Sequence, residues 1–157
     1  MRFIPSLLVI IRLLLFTCSI TLCSGETAGH VEYVGGTLDH LRAGEDGILR
    51  TAGAEALLIQ LGKWDTQVPY DRVNLLEYGQ NASRRIVMAA VVSPLFLLTK
   101  ARKHFLTIGF RDPEGRQQAI VLRVNKGKIR ATLASLEART GLRVQYQDDE
   151  ARKSGKG

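Results

Sequence analysis

The pattern of hydrophobic and polar residues divides the chain into a series of predicted strands followed by one predicted helix. Residues 104–111 alternate, with Leu106 and Ile108 on the same face, which is the two-residue period of a strand. An Asp-Pro-Glu-Gly sequence at 112–115 leads into a return arm at 117–124, and proline and glycine at these positions favour a tight turn. We therefore predict a β-hairpin from these two arms.

Shorter predicted strands precede this hairpin, at 30–38, 48–51, 55–61 and 73–79. Gly35 and Gly36 interrupt the first of them and predict a bulge or a tight bend. The second and third are predicted to pair as a hairpin. Pro69 cannot donate a hydrogen bond to a neighbouring strand, so the segment that it opens should begin at a sheet edge or a bend.

The last part of the chain changes from strand to helix periodicity. Apolar residues recur at helical spacing through 126–140. Asn125 suits the N-cap of this helix, and Gly141 suits the position just after its end. A short strand is predicted at 142–146, and the charged residues 148–157 predict a disordered tail.

This order of elements predicts the α+β class. About seven strands come before one C-terminal α-helix, without alternating βαβ units, which favours an antiparallel sheet. A sheet of this size would form a β-roll or a partly open barrel, and the helix would close its core. The length of 157 residues suits a single domain, which we place at 26–147.

The N-terminus has the pattern of a secretory signal peptide at 1–25. Arg2 and Arg12 precede an apolar stretch at 13–23, and the small residues Ser24 and Gly25 suit cleavage. We therefore expect an exported protein, periplasmic or extracellular, which could lie at the periphery of a membrane. An uncleaved anchor is disfavoured because Arg12 would lie near the centre of the bilayer, at a cost of about 3 kcal/mol.

Both cysteines of the chain, Cys18 and Cys23, lie within this predicted signal peptide. Either could instead carry a lipid, although Thr17 and Leu22 before them are larger than lipoprotein cleavage usually accepts. After cleavage no disulfide, thiol nucleophile or cysteine-based metal site would be available. The exported domain would then depend on its hydrophobic core for stability.

Residues 84–103 form an insert between two predicted strands. Thirteen mostly apolar residues at 86–98, broken by Ser93 and Pro94, are flanked by basic residues, and the insert contains no acid. This run is shorter than the roughly 20 apolar residues of a membrane-spanning helix. Two interpretations remain: a hairpin or short helix inserted into a membrane surface, or a pair of strands packed into the protein's own core.

The net charge of the chain is concentrated in this insert. Without Arg2 and Arg12, 22 − 2 = 20 basic residues face 15 acidic ones, which gives +5, and the insert alone contributes five bases. A nucleic-acid-binding protein more often spreads its bases along a face with aromatic residues between them. The local pattern favours an anionic lipid surface, where each base contributes about 1 kcal/mol.

The predicted contact surface combines the basic ends of the insert with its apolar centre. Its residues are Arg84, Arg85, Val91, Val92, Leu95, Phe96, Leu97, Leu98, Lys100, Arg102 and Lys103. We expect a non-enzymatic binding module whose partner is an anionic lipid surface or another protein. The alternative is an assembly module in which the insert forms a homodimer interface.

Catalytic and metal-binding chemistry is weakly represented in the sequence. The three histidines have no second histidine or cysteine at metal-ligand spacing, and no cofactor motif is present. Asp39 and His40 are the one close pair of an acid and a histidine, and we interpret them as part of a solvated loop. A small hydrolase using this pair is the least favoured function. His104 is either a packed strand-end residue or part of a basic rim that titrates near neutral pH.

Several of these segments resemble a known superfamily. Gly36-Thr37-Leu38, the Val-Pro-Tyr-Asp-Arg-Val sequence at 68–73, a glycine-containing hairpin and a C-terminal helix resemble bacterial pleckstrin-homology-like domains of the PH/GRAM type. The resemblance implies a partly open barrel that binds lipid headgroups or protein segments and has no catalytic residues. No phosphoinositide-binding motif can be placed on the sequence.

A second, narrower resemblance covers residues 68–153. Its most specific segments are 75–80, 103–110 and 136–141, which are similar to those of a family of small, uncharacterised, exported bacterial proteins. This resemblance implies export and supplies no activity that could be carried over.

Overall fold

The computed structural model describes residues 28–80 and 104–156. The predicted signal peptide and the insert with all of its predicted contact residues lie outside these ranges. The strands are β1 (Ala28–Gly36), β2 (Asp46–Arg50), β3 (Ala56–Leu61), β4 (Trp64–Pro69), β5 (Val73–Gly79), β6 (His104–Arg111), β7 (Gln117–Val124) and β8 (Gln145–Tyr146). The helices are a 3-10 helix at Tyr70–Arg72, α1 (Ile129–Thr140) and α2 (Asp149–Lys156).

All eight strands belong to one sheet, in the order β4-β3-β2-β1-β7-β6-β5-β8. Seven strands form antiparallel pairs, and β8 alone is parallel to its neighbour β5. Because β4 and β8 are its two edges, the sheet is not closed. The predicted α+β class with an antiparallel sheet is confirmed, but the described residues form eight strands and two α-helices rather than about seven strands and one helix.

The additional strand is β4. No strand was predicted between 61 and 73, but Gly62 adopts a left-handed conformation with φ of 55°, and the turn is complete after Lys63. Trp64 therefore already pairs with Leu61, and the pairing continues to Pro69 opposite Ala56. Pro69 lies on an edge strand, as predicted, since an edge strand does not need its missing N–H.

The hairpin at β6 and β7 is confirmed, from His104 opposite Val124 to Arg111 opposite Gln117. Gly115 in its turn has φ of 81°, a conformation that glycine adopts without strain. The predicted irregularity in β1 is also present, because the register with β7 shifts between Tyr33 and Gly35. The extra residue of this bulge is Val34.

The main core lies on one face of the sheet, which we call the inner face. It contains alternate residues of the long strands together with apolar residues of both helices. Its members with an exposed fraction of at most 2% are Val31, Tyr33, Leu49, Leu57, Ile59, Leu61, Val68, Leu76, Tyr78, Leu106, Ile108, Ile120, Leu122, Ile129, Leu133, Leu136 and Ala151. Both α-helices therefore pack on this face.

Helix α1 begins three residues later than its predicted first residue. Asn125 does not cap it: the Asn125 side chain accepts a hydrogen bond from the Gly127 amide at 3.0 Å, and its carbonyl accepts from Lys128. These bonds form a turn from which the helix continues at Ile129. The predicted helix end is confirmed, because Gly141 is left-handed with φ of 71° and donates to the Glu137 carbonyl.

The C-terminal residues form helix α2 where we expected a disordered tail. Asp148 accepts a hydrogen bond from the Ala151 amide at 2.6 Å, which caps the first turn. Ala151 is fully buried in the main core, and Gly155 packs against Tyr146 and Leu133. Two small residues four positions apart thus give this charged segment a face that fits closely against the domain.

Candidate functional site

The two ends of the insert are adjacent in the structure. Gly79, near the end of β5, lies directly opposite Phe105 of β6 in the antiparallel register. Opposite residues of such a pair are about 5 Å apart. Gln80 and His104 therefore mark a single place at one end of the sheet, which we call the insert root.

The predicted basic residues are tied to this root by short lengths of chain. Arg84 and Arg85 follow Gln80 by four and five residues, and Lys100 precedes His104 by four. An extended chain spans at most about 3.6 Å per residue, so these α-carbons lie within about 18 Å of the root. The five side chains lie outside the described residues, and the pairing of β5 with β6 places the two chain ends of the insert, Gln80 and His104, side by side.

His104 itself is a packed residue at this root. It is 9% exposed, and its Nδ1 lies 2.5 Å from the Tyr78 hydroxyl. Burial, followed by the positive charge of Lys126, lowers the pKa of His104 below its ordinary value of 6.5. Of the two sequence interpretations, the packed strand-end residue is correct, and near neutral pH the imidazole is uncharged.

A polar hollow opens beside the root. It has a volume of about 430 Å³, and its walls come from the neighbouring ends of β1, β2, β6 and β7. Its charged and titratable lining residues are His30, Glu32, Asp46, His104, Arg123 and Lys126. Glu32 and Arg123 form an ion pair across β1 and β7, which leaves Lys126 as an exposed base next to the root.

An apolar cluster occupies the outer face of the sheet, the face opposite the main core. It consists of Val34, Phe105 and Val121, with exposed fractions of 0%, 6% and 2%. No described helix residue belongs to this cluster.

The sequence analysis did not identify this cluster, although a signal for it was present. The alternation in β6 puts Thr107, Gly109 and Arg111 on the face opposite Leu106, Ile108 and Phe110. Phe105 and Val121 lie on that second face and are diagonal neighbours across β6 and β7. They give the outer face an apolar part.

Asp39 and His40, the pair of the least favoured hydrolase hypothesis, lie in the segment between β1 and β2. The imidazole of His40 packs on the indole of Trp64, with ring centroids 5.0 Å apart. Burial first, and then the carboxylates of Asp39 and Glu45, raise the pKa of Tyr33 to about 12. Residues 28–80 and 104–156 also contain no group of three histidine or acidic side chains that could hold a metal ion.

No helix in the described part of the chain has the length and apolar character needed to cross a bilayer. Comparison with known proteins adds no assignment: no protein-family model matches the sequence, and no curated protein matches it.

Proposed function

We propose that the protein is a non-enzymatic, exported binding module of the PH-like type that attaches to an anionic membrane surface. Its basic contact is formed by Arg84, Arg85, Lys100, Arg102 and Lys103, and its apolar contact by residues 91–98. The observation that carries this proposal is the pairing of Gly79 with Phe105. It brings together Gln80 and His104, the two residues from which the basic ends of the insert continue along the chain.

The electrostatics of the rest of the domain support an anionic partner. Outside the insert, residues 26–157 contain 15 bases and 15 acids, so the body of the domain has no net attraction for lipid. Lys126 adds one exposed base beside the root. At about 1 kcal/mol for each base near the headgroups, the five insert bases would contribute about 5 kcal/mol.

The arrangement of elements supports the PH-like assignment. Strands β1 to β7 are antiparallel and are followed by a helix that packs into the core. The resemblance in the sequence implies the same order, and β8 and α2 follow it as additions. The resemblance implies a partly open barrel that binds lipid headgroups or protein segments, which agrees with a functional insert between two strands.

Co-sedimentation with vesicles tests this function. Residues 26–157 should bind vesicles that contain phosphatidylglycerol at low salt, and should bind phosphatidylcholine vesicles much more weakly. Replacing the five insert bases by glutamine should weaken binding by a factor of about four thousand, since about 5 kcal/mol would be lost. Binding should also decrease as salt is raised, because salt screens exposed charges.

The matched control changes five exposed bases outside the insert. Lys63, Arg72, Arg111, Arg143 and Lys153 are all exposed, and their replacement by glutamine changes the net charge by the same amount. This control should keep most of the binding if position rather than total charge matters. Absence of binding to anionic vesicles, or equal losses in both variants, would remove the proposed function.

A further inference from the structure

A cleft opens between strand β4 and the turn of the β6–β7 hairpin, and we call it the β4 cleft. Its volume is about 510 Å³, which is the size of a site for a small ligand or for a few side chains. It lies at the Arg111 end of β6, so the eight residues of this strand separate it from His104 and the insert root. Its apolar lining residues are Leu38, Ala56, Val68, Pro69, Phe110 and Pro113.

One wall of the β4 cleft is the free edge of β4 itself. Four consecutive residues, Thr66 to Pro69, line the cleft. Successive side chains of a strand point to opposite faces of the sheet, so four in a row can line one cleft only where the backbone edge faces it. No strand of the described ranges lies beyond β4 in the sheet.

The register of β3 with β4 identifies the backbone groups on this edge. The Tyr70 amide donates to the Glu55 carbonyl at 2.9 Å, so these two residues form a hydrogen-bonded pair. Bonded and non-bonded pairs alternate along antiparallel strands, and the pair three residues earlier, Gln67 opposite Leu58, is therefore non-bonded. The N–H and C=O groups of Gln67 point away from β3, where an added strand would meet them.

The rim of the β4 cleft has positive charge that the described residues do not neutralise. Arg72 and Arg111 line the cleft and are exposed, and neither forms an ion pair with another described residue. The two acids of the lining, Asp112 and Glu114, both pair with Arg116, at 2.7 and 3.3 Å. A ligand with carboxylates beside an apolar group complements this arrangement.

We infer that the β4 cleft binds an extended, acidic peptide segment of a partner protein. The segment adds to β4 as a strand, bonds the backbone of Gln67, places an apolar side chain in the cleft and places carboxylates against Arg72 and Arg111. In strand addition the main-chain hydrogen bonds provide affinity, and pockets for alternate side chains provide specificity. This site is separate from the insert, and the inference does not rest on the proposed membrane attachment.

A peptide fits these observations better than a small anionic amphiphile does. A fatty acid would match the apolar lining and the two arginines, but it has no backbone to pair with the free edge at Gln67. The edge is a wall of the cleft, so the occupant that uses every wall is an extended chain.

Trp64 allows this binding to be measured without a label. It is the only tryptophan of the chain, it begins β4, and its indole contacts His40 of the cleft lining. The probe is the acetylated and amidated heptapeptide Thr-Glu-Thr-Phe-Thr-Glu-Thr, which contains no other tryptophan. Titration with it should change the fluorescence of Trp64, and absence of binding up to about 1 mM would overturn the inference.

Two altered peptides test the charge and the apolar side chain. Replacing both glutamates by lysine, or the phenylalanine by serine, should weaken binding at least about tenfold, because the contacts to the arginines or to the apolar lining would be lost. Equal binding of all three peptides would overturn the inference.

Backbone methylation tests whether the peptide binds as a strand. One peptide is N-methylated at its phenylalanine and both glutamates, and a second is N-methylated at its four threonines. Alternate N–H groups of a strand point to the same side, so one of these peptides should bind like the parent and the other should not. Equal retention or equal loss of binding in the two would contradict strand addition.

Substitutions at Gln67 test the same contact from the protein side. Gln67→Pro removes an N–H that β3 does not use, and proline is tolerated on an edge strand, so binding should weaken at least about tenfold while Gln67→Ala binds within about twofold of the wild type. Equal binding of the two variants would overturn the inference.

A second pair of variants keeps the test decisive if Gln67→Pro does not fold. Arg72→Gln with Arg111→Gln should weaken peptide binding about tenfold, because two charge contacts are lost. Arg143→Gln with Lys153→Gln changes two exposed bases outside the cleft and should bind like the wild type. Equal binding of these double variants would overturn the inference.

Other occupants of the cleft give different results. Tighter binding of decanoate than of the heptapeptide would assign the cleft to anionic amphiphiles. A dimer that forms without peptide and dissociates in Gln67→Pro would show that a second copy of the chain occupies the edge. Either outcome would overturn the inference.

Failure of this site can be distinguished from failure of the proposed function. The five-base control of the vesicle experiment lacks Arg72 and Arg111, so it should keep vesicle binding and lose peptide binding. The variant with five insert glutamines should show the reverse. Loss of both activities in either variant would contradict two separate sites.

Discussion

At the scale of single residues, His104 shows how the fold determines the charge at the insert root. The sequence places a histidine directly after three bases within four residues, which would make it a candidate for the basic surface. Its side chain instead lies on the inner face, with its ring parallel to that of Tyr78 at a centroid distance of 6.0 Å. The positive charge at the root therefore comes from lysine and arginine, which stay charged at neutral pH.

The lowered pKa of His104 predicts a dependence of stability on pH. The folded state binds the imidazole proton more weakly than the unfolded chain, whose histidine titrates near its ordinary value of 6.5. Above pH 6.5 both states are neutral and the full stability is present. As pH falls below 6.5, the histidine of the unfolded chain gains a proton before that of the folded protein does. The free energy of unfolding therefore decreases with falling pH until the folded-state pKa has been passed.

Urea unfolding between pH 5 and 8 measures this contribution. His104→Asn keeps an acceptor for the Tyr78 hydroxyl and cannot be protonated, so this variant should lose less stability between pH 7 and pH 5 than the wild type. His40→Asn is the matched control, since His40 lies in a loop against Trp64, and its pH profile should follow that of the wild type. An identical profile for His104→Asn would contradict the assignment.

The sequence could identify the strand that contains His104 and Phe105, but not how their faces are covered. Alternation assigns residues to two faces and predicts the inner face correctly at Leu106, Ile108 and Phe110. It does not reveal whether the second face meets water or another segment of the chain. That information depends on contacts between β1, β6 and β7, which are distant in sequence, and on a bulge that adds Val34 to the outer face.

At the scale of secondary-structure elements, helix α2 shows the same limit of composition. Charged residues dominate 148–157 and predict disorder. The helix is nevertheless attached to the domain, because Ala151 is fully buried. Ser154 adds two hydrogen bonds: its hydroxyl accepts from Gln80 Nε2 at 2.5 Å, and its carbonyl accepts from Arg130 Nε at 3.1 Å. An alanine among charged residues gives little signal, because its small side chain matters only where another surface fits it.

A substitution at Ala151 should release this helix. Ala151→Asp would bury an unpaired carboxylate, so α2 should detach and the free energy of unfolding should fall by about 2 kcal/mol, limited by the docking energy of the helix itself. Hydrogen exchange should show loss of protection in α2 while β6 and β7 stay protected.

Lys153→Asp is the control in the same helix. This position is exposed, and surface substitutions usually change stability by less than about 0.5 kcal/mol. Equal effects of the two substitutions would show that the buried face of α2 does not hold it to the domain.

At the scale of the whole molecule, the insert joins two strands that are already paired within one sheet. The described members of the inner-face cluster come from β1 to β7 and both helices. β5 and β6 pair over six register positions, so the sheet does not depend on the insert for its continuity. The insert can therefore differ in role from the scaffold, which is the arrangement expected of a functional loop.

Removal of the insert separates these roles. With residues 81–103 replaced by a short Asn-Gly turn, the protein should still unfold cooperatively, because adjacent antiparallel strands need only a few connecting residues. It should not bind anionic vesicles, since the five insert bases are absent.

The control for this variant keeps the length of the insert and changes its chemistry. Replacing 81–103 by 23 residues of glycine and serine should likewise preserve folding and abolish vesicle binding. Glycine-serine segments carry no charge and bury no apolar surface, so the two variants should agree in both measurements. Loss of cooperative unfolding in both would contradict the division into scaffold and insert, because the apolar run would then be part of the core on which the fold depends.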